Sequence, residues 1–427
     1  MIHRFFDTSS ISPSGKYVTL FRFPDETRLP KPDVVGEVIL VVLKSRKERV
    51  VALSRGWEMQ LGVNVQWVRT DKELYFNDFD TATWKGFAGQ LNPLTGKSVR
   101  MGGTVFMVSP DVKQLASHNL TKSRYAQVGY GVVVPDKYTS RNKGLVDNNG
   151  ICVTNVAVGK CKMIVSICQI YEKSIPSIAV ANPNDYEYYC FQVKWNPQGT
   201  RLLTVIDWLP KQNGQRQRVV VTMRPDGSEI KTALTNEQWI KGGRHINRTP
   251  DGECLSMNLN VDGKTGIEIV TVKYDGIYMK RTCLLKNTNT DEQNTCEFHL
   301  VEISFNNRIF DPKDIQQVKC FVRMKTVYPA GFRHPSFHST GLPFIVTDAY
   351  AGEIPLPDSK TPIRLIIVES QTEQYIAEII LPPIKNFEFR VDAHPAWDRT
   401  GRYVVFNGTD NGTRCVYVAD LKNLLKH

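Results

Sequence analysis

The sequence lacks a run of about 18 apolar residues, the length that a membrane-spanning helix requires. Its first residues, Met1–Asp7, also lack the apolar stretch of a secretory signal peptide. Amphipathic helical patterns are nearly absent, and only Leu421–Leu425 is compatible with a short helical turn. We therefore expect a cytoplasmic protein with no membrane partner and little helix.

Common catalytic motifs are missing too. The chain has no G-x-S-x-G elbow, no P-loop, no G-x-G-x-x-G followed by a helix, and no H-E-x-x-H. These absences argue against an α/β-hydrolase, a P-loop NTPase and an H-E-x-x-H zinc protease. Nine cysteines are present, an odd number, and none forms a C-x-x-C pair. This usage favours free thiols in a reducing compartment over a disulfide framework.

The charge balance is basic. The chain carries 54 Lys and Arg against 43 Asp and Glu, a net charge of +11 at pH 7. Such an excess favours a polyanionic partner: an acidic glycan, a nucleic acid or an anionic surface. The basic residues are scattered without a long run, which is equally compatible with a solvated basic surface. Because no aromatic-basic recognition motif accompanies them, we do not expect a nucleic-acid partner.

A pattern of a short apolar stretch, a turn with Pro, Asp or Gly, and a β-rich run recurs along the chain. The copies begin near Ile11, Val65, Phe106, Val193, His245, His334 and His394. Each copy is followed by another strand-like run. Small antiparallel sheets repeated in this number are typical of a β-propeller. The sequence therefore predicts an all-β chain, with residues 1–427 forming a single seven-bladed β-propeller domain.

Three segments depart from this repeat. We expect His3–Phe6 to supply the outer strand of the last blade, because closing the ring in this way removes an exposed sheet edge. Residues 121–150 form a long loop rich in Tyr, Gly, Arg and Lys, and loops of this length in compact folds are often functional. Residues 284–328 are polar and then β-like, which indicates an insertion.

Three of the eight histidines, His245, His334 and His394, open the innermost strand of consecutive repeats. In a propeller, equivalent positions in adjacent blades converge at one end of the axis. Three converging imidazoles predict a divalent-metal cofactor, Zn, Mn or Ca, and Asp392 lies where it can add a carboxylate. His338 is a weaker candidate, farther along the same strand face. The alternative is that these imidazoles only hydrogen-bond to neighbouring blades.

Phenols and guanidiniums are mixed in the long loop, at Arg124, Tyr130 and Arg141, and again at Tyr189 ahead of Lys194. A phenol acts as a general acid or base once a neighbouring cation lowers its pKa. A guanidinium pairs with a substrate carboxylate through two hydrogen bonds. The alternative is aromatic packing beneath a loop that carries arginines at its rim.

The blade starts His334–Tyr350 and Val391–Gly408 resemble those of the propeller polysaccharide lyases, namely the oligogalacturonate lyases and the ulvan-lyase-like families. The resemblance runs over most of the chain and is strongest in the last three blades. It implies a seven-bladed propeller that cleaves a uronate-containing acidic polysaccharide or oligosaccharide by β-elimination. It also implies a metal held by blade-start histidines, which by position are His245, His334 and His394.

The early blades depart from that family. Where the ulvan-type enzymes use histidines, this chain offers only His118, and Asn77 stands where a histidine would be expected. We assign Asn77, Lys194 and Arg124 to substrate binding.

β-Elimination removes the proton on C5 of the uronate, and that proton becomes acidic enough when the carboxylate is neutralised. We assign the carboxylate to Arg141 or Arg124, and the proton transfer to Tyr130 or Tyr189. The competing hypothesis is a β-propeller binding scaffold that holds a structural metal and catalyses no reaction.

Overall fold

The computed structural model of this protein describes residues 1–178, 180, 182–211, 214–261, 267–277, 279–283, 293–298, 300–303, 318–323, 333–350, 353–354, 356–370, 372–382 and 387–426. The described chain consists mainly of short strands that pair antiparallel in a succession of small sheets. None of the helices in these ranges is long and apolar enough to cross a membrane.

Five sheets of consecutive strands follow one another along the first two thirds of the chain. The first contains β1–β3 (Tyr17–Arg22, Gly36–Val42, Glu48–Ser54). The second contains β4–β7 (Gln66–Trp67, Leu74–Phe79, Gly86–Leu91, Ser98–Arg100). The third contains β8–β11 (Met107–Val108, Gln114–Ser117, Gly150–Asn155, Cys161–Ser166). The fourth contains β12–β15 (Tyr186–Trp195, Leu202–Pro210, Gln217–Met223, Lys231–Leu234), and the fifth β16–β19 (Arg244–Arg248, Cys254–Leu259, Glu268–Lys273, Met279–Cys283).

The remaining strands form a two-stranded sheet and one large sheet. The predicted insertion at 284–328 contributes β20–β22 (Gln293–Phe298, Leu300–Ile303, Val318–Arg323), and its other residues lie outside the described ranges. β20 pairs with β22. The large sheet joins β21 to β23–β29 (Ser336–Phe337, Phe344–Thr347, Lys360–Ile367, Thr372–Ile380, Ala396–Trp397, Tyr403–Asp410, Thr413–Asp420).

The described helices are all short, as the sequence predicts. The α-helices are α1–α3 (Ser123–Ala126, Ile167–Lys173, Asn236–Trp239), and the 3₁₀ helices are Asp136–Tyr138, Pro183–Asp185, Pro357–Ser359, Phe387–Phe389 and Leu424–Lys426. The last of these overlaps the terminal turn expected at Leu421–Leu425. The loop predicted at 121–150 connects β9 to β10 and contains α1 and one 3₁₀ helix.

Several inner strands carry nearly continuous apolar runs because both of their faces are covered. In β13, Leu202, Leu203, Val205 and Ile206 are all buried, although neighbouring side chains of a strand point to opposite faces. The largest apolar cluster joins residues of the third, fourth and fifth sheets. The core therefore lies between the faces of neighbouring sheets.

The turns of the sequence repeat close the hairpins that follow the innermost strands. Asn196 directly follows β12, and its Oδ1 accepts hydrogen bonds from the N–H groups of Thr200 and Arg201 at 2.8 and 2.9 Å. Gly199 in this turn has φ +68°, a left-handed conformation that glycine adopts without a steric penalty. Gly401 has φ +71° at the equivalent turn before β28.

Residues 3–7, here called the axial segment, do not form the outer strand predicted for His3–Phe6. Their side chains are buried at the centre of the molecule. The N–H of His3 donates to Asn407 Oδ1 at 3.0 Å, and Arg4 Nε donates to Asn64 Oδ1 at 3.0 Å, so the segment touches sheets far apart in the sequence. β21, from the predicted insertion, pairs with β29 at the edge where the outer strand was expected.

Three buried charges, here called the central charge cluster, fix the axial segment. Asp7 lies 3.3 Å from Arg4 Nη1 and 3.1 Å from Lys194 Nζ, and each of the three side chains is at most 1% exposed. Lys194 Nζ also donates to the carbonyl of Ile246 at 2.7 Å. Burial lowers the pKa of Lys194 to about 8, although Asp7 acts in the opposite direction. Lys194, assigned to substrate binding from the sequence, is fully buried and contacts Asp7 and the carbonyl of Ile246.

Replacing Lys194 with methionine should lower the free energy of unfolding by about 3–5 kcal/mol, because Asp7 loses a partner that burial makes essential. Denaturant unfolding monitored by circular dichroism measures the change. Lys113→Met is the matched control, since that lysine lies 3.7 Å from Asp111 with its side chain 78% exposed. The control should leave unfolding nearly unchanged. Equal effects in the two variants would show that the cluster does not stabilise the centre.

Candidate functional site

The local backbone orients two of the predicted histidines. At His245 the pairing of β16 with β17 is interrupted between Arg244 and Asn247, and the residue has φ +51°. His394, shortly before β27, has φ +50°. Interruptions of this kind redirect a side chain and are common beside active sites. Left-handed backbone at a non-glycine residue costs on the order of 1–3 kcal/mol, so the surrounding packing must enforce it.

The rings of the three predicted histidines lie next to one another. The ring centres of His245 and His334 are 4.1 Å apart, and those of His334 and His394 are also 4.1 Å apart. Phe5 of the axial segment packs edge-on to His394, with 4.6 Å between ring centres. The axial segment therefore forms part of the wall around the imidazoles.

A cavity of about 270 Å³ lies beside these rings. Its titratable side chains are Tyr130, Arg218, Arg244, His245, His334, Tyr350, Arg390 and Asp392. Phe5, Phe191 and Trp239 add apolar surface. A few polar groups converging in a partly apolar cavity are typical of a small-molecule site.

Among the described residues, His334, Asp392 and His394 form a group whose ligand atoms all lie within 4.8 Å of one another. All three side chains are buried. Within the described chain, neither ring nitrogen of His394 has a hydrogen-bond partner, which is rare for a buried polar atom. Two imidazoles and a carboxylate are donors that Mn and Zn accept. These residues therefore fit a divalent metal.

A second carboxylate, that of Asp348, forms a hydrogen bond with one histidine of this group. Asp348 places both carboxylate oxygens 3.0 Å from His334 Nδ1. A hydrogen bond from Nδ1–H to this carboxylate leaves Nε2 with a free lone pair, the arrangement usual for metal-binding histidines. Asp348 thus orients the ring of His334.

His245 lies outside that group of three and has two hydrogen-bond partners. Its Nδ1 is 3.1 Å from Asn258 Oδ1, and its Nε2 is 3.3 Å from the hydroxyl of Tyr350. Burial, followed by the neighbouring imidazole of His334, lowers the pKa of His245 well below its usual range. The ring is therefore neutral near pH 7. Its assignment as a metal ligand stays a prediction.

Three guanidiniums make the cavity positive. Arg390 Nε donates to Asp392 Oδ2 at 2.9 Å. Arg218 Nε donates to the fully buried Asp207. Arg244 is exposed at the edge of the cavity. Together they create a site that favours an anion.

Two phenols, Tyr130 and Tyr350, line the same cavity. Burial raises the pKa of each well above its usual range, so both hydroxyls keep their protons near pH 7. The guanidinium of Arg390 lies 5.7 Å from the ring centre of Tyr130 and partly opposes this effect. Tyr130, to which the sequence assigned the proton transfer, is therefore a protonated phenol that lines the cavity.

The structure does not bring the other predicted catalytic residues to the cavity. Arg141 forms an ion pair at 2.8 Å with Glu187, and its side chain is 53% exposed. The hydroxyl of Tyr189 donates to the same carboxylate at 2.8 Å. Arg124 is exposed on α1 and does not line the cavity. Glu187 engages the phenol and the guanidinium that the sequence suggested for substrate.

Asn77, assigned to substrate binding from the sequence, is buried and does not line the cavity. Its side-chain amide donates to the carbonyl of Val105 at 2.8 Å and accepts from the N–H of the same residue at 2.7 Å. This pair of hydrogen bonds joins the second sheet to the segment ahead of the third. The weaker candidate His338 is also remote from the cavity, with Nε2 2.9 Å from the carbonyl of Gly401.

Sequence reasoning missed four residues that line the cavity, Arg218, Arg244, Tyr350 and Arg390. Arg390 and Tyr350 each lie two positions from an acidic residue that supports the imidazoles, Asp392 and Asp348. In an extended chain, residues two positions apart point to the same side. A polar residue two positions from Asp392 or Asp348 could therefore have been predicted to lie in the site. Arg218 lies within the alternating sequence of β14 and has no comparable signal.

No family model matches the sequence, and no curated protein sequence matches it either. Solved structures with a similar fold include an oligogalacturonate lyase in complex with manganese, with a TM-score of 0.61 and 11% identity over 99% of this chain and 91% of that chain. An oligogalacturonate lyase from Vibrio parahaemolyticus gives 0.56 and 10% over 99% and 91%. The β-propeller domain of the Trilobed protease from Pyrococcus furiosus gives 0.44 and 8% over 94% and 90%. The succession of small antiparallel sheets, together with the likeness to the two oligogalacturonate lyases, confirms the all-β prediction and a propeller-like fold.

If His334, Asp392 and His394 hold a metal, His394→Gln should reduce the Mn²⁺ or Zn²⁺ retained after loading and desalting, because the ring with two unpartnered nitrogens is lost. Elemental analysis by mass spectrometry measures the bound metal. His338→Gln is the control, since that histidine is buried but remote from the cluster. We expect full metal content in the control. The metal assignment is wrong if both variants retain as much metal as the unaltered protein.

Proposed function

We propose that this protein is a lyase that cleaves a uronate-containing acidic oligosaccharide or polysaccharide by β-elimination. The observation that carries the proposal is one cavity that combines three guanidiniums, a neutral imidazole and two protonated phenols. Elimination next to a carboxylate requires charge neutralisation, a base and an acid, and these groups supply all three. The similar fold of the oligogalacturonate lyases supports this reaction class.

The guanidiniums of the cavity recognise the carboxylate. Arg218, Arg244 and Arg390 all line it, whereas Arg141 and Arg124 do not. Loss of the C5 proton moves negative charge onto the carboxylate, so a cation paired with that group stabilises the transition state. A divalent ion held by His334, Asp392 and His394 would supply further neutralisation of the same charge.

His245 is the base in this proposal. A hydrogen bond from Nδ1–H to Asn258 Oδ1 leaves a lone pair on Nε2, which faces the hydroxyl of Tyr350. The ring is neutral because its pKa is lowered, so it is ready to accept the C5 proton. After the transfer, the new Nε2–H donates to the Tyr350 oxygen and the imidazolium gains a partner.

Tyr130 is the acid. Its raised pKa keeps the proton on the phenol until a stronger base appears. In the elimination the C5–H bond breaks toward His245, a C4–C5 double bond forms, and the C4–O bond breaks. The departing oxygen takes the proton of Tyr130. Proton exchange with solvent restores both side chains.

We also propose that the propeller has seven blades. The large sheet is held together at its middle by one residue pair, Ile380 with Thr409. On either side of this point, β25 pairs with β26 and β28 with β29 over eight residue pairs each. Dividing the large sheet here gives two blades, which follow the five preceding sheets.

The test incubates the protein, loaded with Mn²⁺, with digalacturonate, trigalacturonate, pectate, glucuronan and ulvan. The unsaturated uronate that β-elimination forms absorbs ultraviolet light, so the expected result is a rise in absorbance with at least one substrate. Isothermal titration with the same compounds runs in parallel. Binding without an absorbance rise would instead support the binding scaffold with a structural metal, and neither binding nor turnover would overturn the proposal.

Among the variants, His245→Ala should lower kcat by about 100-fold or more, because general-base catalysis is lost. Substrate affinity should change much less, since the guanidiniums remain. Arg141→Gln is the control, because its ion pair with Glu187 lies outside the cavity. Retained activity in His245→Ala, or a comparable loss in Arg141→Gln, would contradict these assignments.

A further inference from the structure

A second cavity, of about 310 Å³, lies at the other end of the innermost strands. β16 begins in the wall of the first cavity, at His245, and ends in the wall of the second, at Arg248. His334 and Ser336 are divided between the two cavities in the same way. None of the described residues lines both cavities, so the second one is a site of its own.

Two arginines from sheets far apart in the sequence reach the same part of the second cavity. Arg399, in the turn after β27, donates from Nη2 to the carbonyl of Trp67 at 2.8 Å. Arg248 donates from Nη1 to the sulfur of Met107 at 2.8 Å. Trp67 ends β4 and Met107 begins β8, and the side chain of Gln66 joins these two segments by hydrogen bonds of 3.0 and 3.2 Å. The two guanidiniums therefore come together beside adjoining strands.

The charge of these two guanidiniums is not matched locally. Within the described chain, neither of them lies within 4.0 Å of a carboxylate. Asp7, which lines the same cavity, is 3.3 and 3.1 Å from the two cations of the central charge cluster. Asp398 accepts hydrogen bonds within its own turn, including one at 2.6 Å from the hydroxyl of Thr400. Burial lowers the pKa of Arg248 only to about 10, so this side chain is a cation at pH 7.

Two polar side chains of the cavity wall, Asn247 and Ser336, are only 6% exposed each. Within the described chain, neither side chain has a hydrogen-bond partner, whereas buried polar groups normally have one. A ligand in the cavity would supply it. The indole N–H groups of Trp67 and Trp397 already donate to the carbonyls of Ser10 and Ser336, at 2.9 and 3.0 Å. These two rings therefore offer the ligand apolar surface.

We propose that the second cavity binds a small phosphate monoester, with Arg248 and Arg399 pairing with the phosphate group and Asn247 and Ser336 donating to it. A phosphate monoester has three terminal oxygens and nearly two negative charges, so it can pair with two guanidiniums at once. One guanidinium is enough for a carboxylate. The two tryptophan rings pack against the organic part of the ligand. This site goes beyond the proposed lyase reaction, whose groups all lie in the first cavity.

The test measures Kd by isothermal titration for inorganic phosphate, phenyl phosphate and glucose 6-phosphate, with galacturonate as the carboxylate comparison. Arg399→Gln should weaken binding of the three phosphate probes about tenfold, the loss expected for one charge-assisted pair, and leave galacturonate unchanged. Arg402→Gln is the matched control, because this arginine follows in the same turn and its Nε donates to Asp420 at 2.8 Å, outside the cavity. Thermal unfolding of each variant checks that the fold is intact.

Arg390→Gln distinguishes the two cavities, because this arginine lines only the first. We expect it to leave the affinity for the phosphate probes unaltered. If it weakens them as much as Arg399→Gln does, the phosphate occupies the first cavity and the proposal is wrong. The proposal is also wrong if no phosphate probe binds, or if Arg402→Gln and Arg399→Gln have equal effects. The lyase proposal is unaffected by each of these results, because substrate turnover tests it separately.

Discussion

The path of the axial segment depends on one buried interaction, the contact of Asp7 with Lys194 and Arg4. Charges this deeply buried persist only when they are paired. Asp7 reaches both cations only if residues 3–7 run through the centre of the molecule. The same path brings Phe5 against His394 and into the cavity wall, so the pairing that organises the centre also shapes the site.

Backbone strain is the second constraint on the site. His245 and His394 both have left-handed φ angles, which regular strands do not contain. In each case the distortion occurs where a sheet begins at the axis, and it turns an imidazole toward the neighbouring blade instead of leaving it within the strand. The packing of the sheets thus maintains a local geometry that a short peptide of the same sequence would not adopt.

The all-β architecture and the meeting of His245, His334 and His394 could be predicted because both follow from a repeat that is visible in the sequence. The partner of an individual charged side chain could not be predicted in this way. Arg141 and Lys194 were reasonable candidates by residue type, yet Glu187 and Asp7 engage them through contacts that only the tertiary structure creates. The axial path of His3–Phe6 was missed for the same reason.

The contacts between residues near the two ends of the given sequence also affect how the protein folds. His3 Nε2 lies 3.3 Å from the carbonyl oxygen of Ala393, a separation of 390 residues. Contacts at such distance along the chain form slowly, because a large loop must close before they stabilise anything. During synthesis the axial segment therefore cannot form these contacts until the last sheet has emerged from the ribosome. A polypeptide that stops before His394 cannot assemble the three imidazoles, so the site forms only after the last sheet has been made.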